Sequence, residues 1–212
     1  MNIDFFVDIF FPPVCVSCAR RIPRGTLCAS CRSTLLVRHA PLAKVLPDAW
    51  IGSAGSYDDR VLQTLIHALK FRFIKGAAEP LAEVLCEYAQ SFCAISGFIV
   101  VPIPLSKRRE RTRGWNQSAL IGKLFAEYMK LPFAPEALTR IRHKKPQSET
   151  NSLAEREENI RGCFSALPIA CAGKNIILID DVTTSGATFL EAIHILRAAG
   201  AKKIIALAIA RA

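Results

Sequence analysis

Apolar residues recur at helical spacing in "SYDDRVLQTLIHALKFRF": Val61, Leu62, Leu65, Ile66 and Leu69 share one face, and Asp58 or Asp59 can cap the first turn. "AAEPLAEVLCEYAQSF" has the same period and predicts a second helix. Other stretches have no period. "FIVVPIP", "KNIILIDDV" and "KKIIALAIA" are continuous apolar, β-branched runs, as expected of strands covered on both faces. Helical spacing returns in "NQSALIGKLFAEYM" and in "FLEAIHILRAAG", which stops at Gly200. Strands alternating with helices predict an α/β fold with a mostly parallel sheet and right-handed crossovers. The Pro-containing "LVRHAPLAKVLPDAW" reads as a connector, and the basic run after "VPIP" reads as a loop.

Composition agrees with that picture and narrows the partners. The chain has 212 residues, enough for one medium domain or a domain with a small appendage. A hydrophobic fraction of 51% against 22% charged excludes disordered and collagen-like classes. The net charge is +10, and most of it is local: Pro104 to Lys145 holds eleven Lys or Arg and three Glu. Phosphorylated metabolites, nucleic acid and anionic lipid are therefore the partners to weigh. The start, "MNIDFFVDIFFPPV", lacks a basic n-region, carries Asp4 and Asp8, and meets two prolines early, which argues against a signal peptide or a membrane span. It reads as a docked helix, with a membrane-surface anchor as the alternative. Without an export signal the expected compartment is the cytoplasm, where eight cysteines do not suggest disulfides. Cys86, Cys93, Cys163 and Cys171 are scattered and read as small core residues, and His67, beside the apolar stripe, as a packed or hydrogen-bonded core histidine.

The other four cysteines are clustered. "CVSCARRIPRGTLCASC" makes two Cys-x-x-Cys knuckles from Cys15, Cys18, Cys28 and Cys31. Two such turns can complete a closed tetrahedral zinc site, whereas a lone pair would suit redox chemistry. Arg20, Arg21 and Arg24 between them favour thiolates. Four thiolates leave no open position, so the expected zinc is structural. The expected organisation is a module over residues 1–45, with a helix and zinc knuckle, followed by an α/β domain over 46–212.

Ligand chemistry in a parallel sheet lies beyond the strand ends. Asp180 and Asp181 end the run "IILIDD" and lead through Thr183, Thr184, Ser185, Gly186, Ala187 and Thr188 into a helix. Hydroxyls, a permissive glycine and free N–H groups of a first helical turn make an anion cradle. Paired carboxylates beside it suit vicinal ribose hydroxyls, directly or through Mg²⁺. A Walker-B strand would need a Gly-x4-Gly-Lys-Ser/Thr loop, and neither Gly122-Lys123 nor Gly173-Lys174 sits in one. An ordinary strand followed by a capped helix is the plainer alternative.

These residues resemble a known family. "IILIDDVTTSGAT" is similar to the phosphoribosyl-pyrophosphate (PRPP) motif of type I phosphoribosyltransferases. "VPIPLSKRRERTRGWNQSALIGKLFA" and "LTRIRHKKPQSETNSLAEREENIRGCF" resemble the ComF subfamily, which also carries an N-terminal four-cysteine knuckle. The resemblance spans nearly the whole chain. It implies a phosphoribosyltransferase-like domain behind a small zinc module, in proteins associated with competence and DNA uptake. By the same resemblance, Asp180 and Asp181 would be the catalytic carboxylates on the ribose hydroxyls, with Asp181 also reaching Mg²⁺ through water. Thr184 to Thr188 would hold the 5′-phosphate. Leu105, Ser106, Lys107, Arg108 and Arg109 would form the pyrophosphate loop. Arg140, Arg142, Lys144 and Lys145 would lie in a mobile loop closing over PRPP.

Two function classes follow. One is a Mg²⁺-dependent transferase that moves ribose 5-phosphate from PRPP to a nitrogen acceptor. The other is a PRPP-fold module that binds single-stranded DNA in the cytoplasm, beside competence helicase or translocation partners. "KRRERTRGWNQ", with Arg111, Arg113 and Trp115, has the cations and the ring for backbone tracking and base stacking, and reads equally as a solvated face or pyrophosphate loop.

Overall fold

The computed structural model describes residues 13–35, 37–38, 40–91, 95–141 and 162–212. The expected N-terminal helix, Cys93, and the loop residues Arg142, Lys144 and Lys145 lie outside them. Five strands form one sheet in the order β1-β2-β7-β6-β3: β1 (Ala43–Leu46), β2 (Ala49–Ser56), β3 (Phe98–Pro102), β6 (Asn175–Thr183) and β7 (Lys203–Arg211). Only β1 runs antiparallel, against β2; the pairs β2–β7, β6–β7 and β3–β6 are parallel. The C-terminal ends of four strands therefore share one edge, as the alternating pattern predicts. A separate antiparallel pair joins β4 (Leu138–Arg140) to β5 (Phe164–Ala166).

Both faces of the sheet are covered, which explains why its strands are apolar without alternation. On one face pack α2 (Arg60–Phe71), α3 (Ala78–Gln90) and α5 (Gln117–Met129), with Leu65, Leu85 and Phe125 fully buried against Ile177, Ile179 and Leu207. On the other, α7 (Ala187–Ala198), the short α6 (Pro168–Cys171) and the β4–β5 pair cover Ile176, Leu178 and Ala206 through Phe189, Ile193 and Phe164. Asp59 caps α2, accepting from the N–H groups of Val61 and Leu62 at 2.9 Å each.

Four sequence expectations change. The connector "LVRHAPLAKVLPDAW" contains β1 and the start of β2. The basic run is no loop beyond Ser106: Lys107–Arg113 is a helix, α4. Ser106 Oγ accepts from the Arg109 N–H at 3.3 Å, Glu110 lies in the first turn, and Gly114 closes the helix with φ 75°. Asp180 and Asp181 do not end their strand, since β6 pairs on through Thr183 opposite Arg211. His67 is not a core residue: it is exposed and lies against Phe71, ring centroids 4.6 Å apart.

The cysteine segment is packed onto the body. Cys15, Ile22, Leu27 and Cys28 are buried in the same apolar cluster as α2 and α3. Thr26 Oγ1 donates to the Gly76 carbonyl at 3.1 Å, and Arg32, in α1 (Ala29–Ser33), pairs with Glu83 of α3.

Candidate functional site

The carboxylate pair sits where three elements meet. Ser118, on the first turn of α5, donates to Asp180 Oδ1 at 2.7 Å, and the Asp181 N–H donates to the same oxygen at 2.9 Å. Lys70, in the last turn of α2, pairs with Asp181 Oδ1 at 2.8 Å, both side chains mostly buried. Asp180 keeps a partly exposed edge, yet protein surrounds it closely enough for burial to dominate its titration. That burial, reinforced by the like charge of Asp181, pushes the Asp180 carboxyl up to about 7 against the opposing Ser118 hydrogen bond and Lys70. Arg113 lies within electrostatic reach of Asp181; burial holds its guanidinium below the ordinary value, and the Asp181 charge opposes that.

The segment "RGWNQS" builds this junction. Gly114 takes the left-handed turn that ends α4, and Asn116 then caps α5, its Oδ1 accepting from the Ser118 N–H at 3.0 Å. The Asn116 Nδ2 donates to the Ile103 carbonyl at 2.9 Å, which ties the helix start to the end of β3. Gln117, 1% exposed, accepts from Arg113 at 3.2 Å. Ser118 is thereby delivered to Asp180, 62 residues away in sequence.

Beyond β6, Thr183 is buried while Thr184 and Ser185 are exposed. Gly186 has φ 83°, a conformation natural to glycine, and is followed by Ala187 and Thr188 at the start of α7. Thr183, Thr184, Ser185 and Gly186 line a cavity of about 170 Å³ together with Ser53, Tyr88 and Arg211. Such a turn, opening on the N-terminus of a twelve-residue helix, offers N–H groups and the positive dipole end to an anion.

The remaining predicted residues fall in different places. Leu105 and Ser106 are half-buried beyond the end of β3, while Lys107, Arg108, Arg109 and Arg111 project from α4 into solvent. Trp115 is half-buried, with Lys75 Nζ 4.9 Å above its ring and Phe73 edge-on at 5.9 Å. Arg140 belongs to the other layer, its guanidinium 5.5 Å from the Phe164 ring. Lys70, Ser118 and Arg211 are the residues that sequence reasoning missed; the only signal for Lys70 was its place in the last turn of a predicted helix.

The four cysteines come together: their Sγ atoms all lie within 4.8 Å of one another, so they could hold a metal ion. Tetrahedral zinc with Zn–S of about 2.3 Å spaces its sulfurs by roughly 3.8 Å. Cys18 and Cys28 lie 3.7 Å apart, so the donor set fits. Burial raises the Cys15 thiol, but the backbone N–H groups of Cys28, Cys18 and Ser17 outweigh it and bring it to about 6, a disposition that suits a thiolate ligand.

Comparison with known proteins gives this arrangement a family. The phosphoribosyl transferase domain family matches residues 117–212, which include the carboxylates, the polar turn and β7. The chain is 28% identical over 200 residues to the DNA utilization protein YhgH of Salmonella typhimurium, covering 90% of this chain and 87% of that protein. It is 29% identical over 119 residues to competence protein F of Haemophilus influenzae, covering 53% and 50%. Identity to the competence protein ComFC of Bacillus subtilis is 30% over 185 residues, covering 82% of this chain and 68% of that one. With that identity over most of both chains, and a phosphoribosyltransferase domain around the paired carboxylates, the chain belongs to the ComF family of competence-related, phosphoribosyltransferase-like proteins.

Proposed function

We propose that the protein binds PRPP with Mg²⁺ at the end of β6 and acts on single-stranded DNA in the cytoplasm during competence. The observation carrying the first half is the adjacent Asp180–Asp181 pair directly ahead of a polar turn and a helix N-terminus. Asp180 and Asp181 hold the ribose hydroxyls, and Asp181 would also help to hold Mg²⁺. The Thr183–Thr188 turn holds the 5′-phosphate, with Arg211 as a further cation beside it. Leu105, Ser106 and the cations Lys107, Arg108 and Arg109 face the pyrophosphate. Mg²⁺, when bound, supplies positive charge against the pyrophosphate oxygens.

Cys15, Cys18, Cys28 and Cys31 hold one structural zinc, in a module spanning residues 1–45 ahead of a transferase-like domain over 46–212. The DNA half rests on α4, where Lys107, Arg108, Arg109, Arg111 and Arg113 stand against a single Glu110. Among the described residues no helix is long and apolar enough to cross a membrane. Relatives named for competence and DNA utilization support the DNA half, and the proposed partners are helicase or translocation proteins of DNA uptake.

Thermal unfolding tests the ligand site. PRPP with Mg²⁺ raises the melting temperature of the wild type, and the Asp180→Asn, Asp181→Asn double variant shows no rise; an equal response in both proteins sinks the assignment. DNA binding is expected at roughly micromolar Kd and falls steeply with salt. A second reading, ribosyl transfer to a nitrogen acceptor, is favoured by the same adjacent Asp180–Asp181 pair ahead of the polar turn, which offers carboxylates to a reacting ribose. Pyrophosphate release from PRPP that depends on one of a panel of bases, ammonia or DNA would establish turnover.

A further inference from the structure

The end of α2 runs into "KFRFIKG", a stretch whose rings point outward. Phe71 is 53% exposed and Phe73 58% exposed. Phe73 has φ 56°, a left-handed conformation that bulky side chains rarely adopt. The Arg72 and Ile74 N–H groups both donate to the Ala68 carbonyl, at 3.2 and 3.1 Å, and fix the turn that presents the second ring. An aromatic held out of the core by a disfavoured backbone is not explained by packing.

Cations surround the rings. The Arg113 guanidinium lies 5.2 Å from the Phe71 centroid, and Lys75 covers Trp115, whose other neighbour is Phe73. Arg72 is exposed between the two phenylalanines. Rings and positive charges thus alternate across one surface that adjoins the carboxylate pair through Lys70 and Arg113. A free phosphate has no use for the rings. A membrane-binding face needs a broader apolar stripe than two phenylalanines. A duplex hides the flat faces of its bases. A single strand matches both features, with phosphates for the cations and bases for the rings.

We infer that Phe71 and Phe73 form a base-stacking surface for single-stranded nucleic acid, with Arg72, Lys75 and Arg113 on its phosphates. The inference rests on the proposed DNA reading and moves its stacking rings away from Trp115, which is already covered. Fluorescence anisotropy with a labelled oligothymidylate of about 20 nucleotides, longer than a single such site, tests it at low salt. Phe71→Ala with Phe73→Ala lowers affinity about tenfold or more, while PRPP with Mg²⁺ still raises the melting temperature. Phe71→Leu with Phe73→Leu keeps apolar bulk, melts like the wild type and shows the same loss. Arg72→Gln with Lys75→Gln instead flattens the slope of log affinity against log salt by about 1.4. Oligothymidylate binding unchanged in both phenylalanine pairs overturns the surface and leaves the DNA reading standing. No binding by the wild type at low salt overturns that reading and this one with it. Wild-type binding to phosphatidylserine vesicles that the phenylalanine variants lose, with oligothymidylate affinity intact, assigns the patch to a membrane and overturns the inference.

Discussion

Replacing Asp180 by Asn should make the empty protein more stable while removing its proposed ligand response. Burial, followed by the charge of Asp181, raises the Asp180 carboxyl from 3.8 to about 7. At about 1.4 kcal/mol per decade, ionising it costs the folded state up to about 4 kcal/mol. Solvent at its exposed edge and local relaxation reduce the expected net gain in the variant to about 1–2 kcal/mol. The asparagine oxygen can still accept from Ser118 Oγ and from the Asp181 N–H, so no hydrogen bond needs to be lost. The sign depends on pH. Between about 4 and about 7 the folded wild type binds more protons than the unfolded chain, so its stability falls as pH rises through that window and is level above it. The advantage of Asp180→Asn is therefore full at pH 8 and much smaller at pH 5. In a protein of this size about 1 kcal/mol moves the melting temperature by roughly 2–4 °C, giving a rise of about 2–8 °C at pH 8. Thermal melts at both pH values, without PRPP or Mg²⁺, read it directly. A variant that melts below the wild type at pH 8, or gains equally at pH 5 and pH 8, refutes the reasoning.

Three further outcomes are expected. Lys70→Met leaves the mostly buried Asp181 carboxylate without its ammonium and lowers stability by about 1–3 kcal/mol, measured by denaturant unfolding; an unchanged midpoint would mean that the pair contributes nothing. Gly52→Ala places a methyl inside the contact distance of the Tyr88 hydroxyl and Leu42, and Tyr88 cannot retreat without losing its 2.9 Å bond to the Ala40 carbonyl, so the cost is about 1–3 kcal/mol by the same assay. Cys28→Ser reduces bound zinc from about one per chain, by elemental analysis, and lowers the melting temperature because Ile22 and Leu27 share the core of α2 and α3, while PRPP with Mg²⁺ still stabilises the protein.

Much of the scaffold was legible in the sequence. The long β-branched runs around Val100, Ile177 and Ile205 have few alternatives to buried strands, and Asp59 and Gly200 mark helix ends by local chemistry. β2 was not legible, because after Trp50 and Ile51 "AWIGSAGS" continues only with small residues that do not mark a strand. Its small residues make sense only once Tyr88 and Leu42 are seen against Gly52. α4 was hidden for another reason: its residues bury nothing, so no apolar stripe announces it, and the cap at Ser106 and stop at Gly114 were the only signs. At the candidate site, the acidic pair and polar turn are contiguous and could be read directly. Ser118 and Lys70 could not, since their relation to Asp180 and Asp181 is made by packing α5 and α2 on one face of the sheet.

The Lys70–Asp181 pair also bears on what the empty site will accept. A tethered ammonium 2.8 Å from the carboxylate is a resident competitor, and its effective concentration greatly exceeds that of a dilute free ion. Burial and the charge of Asp181 disfavour the ionised form of Asp180, so a stray divalent cation meets little uncompensated negative charge by evicting the lysine. A ligand that brings its own anionic groups can instead offer Lys70 a new partner as it takes over Asp181. On the proposed reading the site is selective by exchange: it would open to a metal arriving with a polyanion and stay shut to the metal alone.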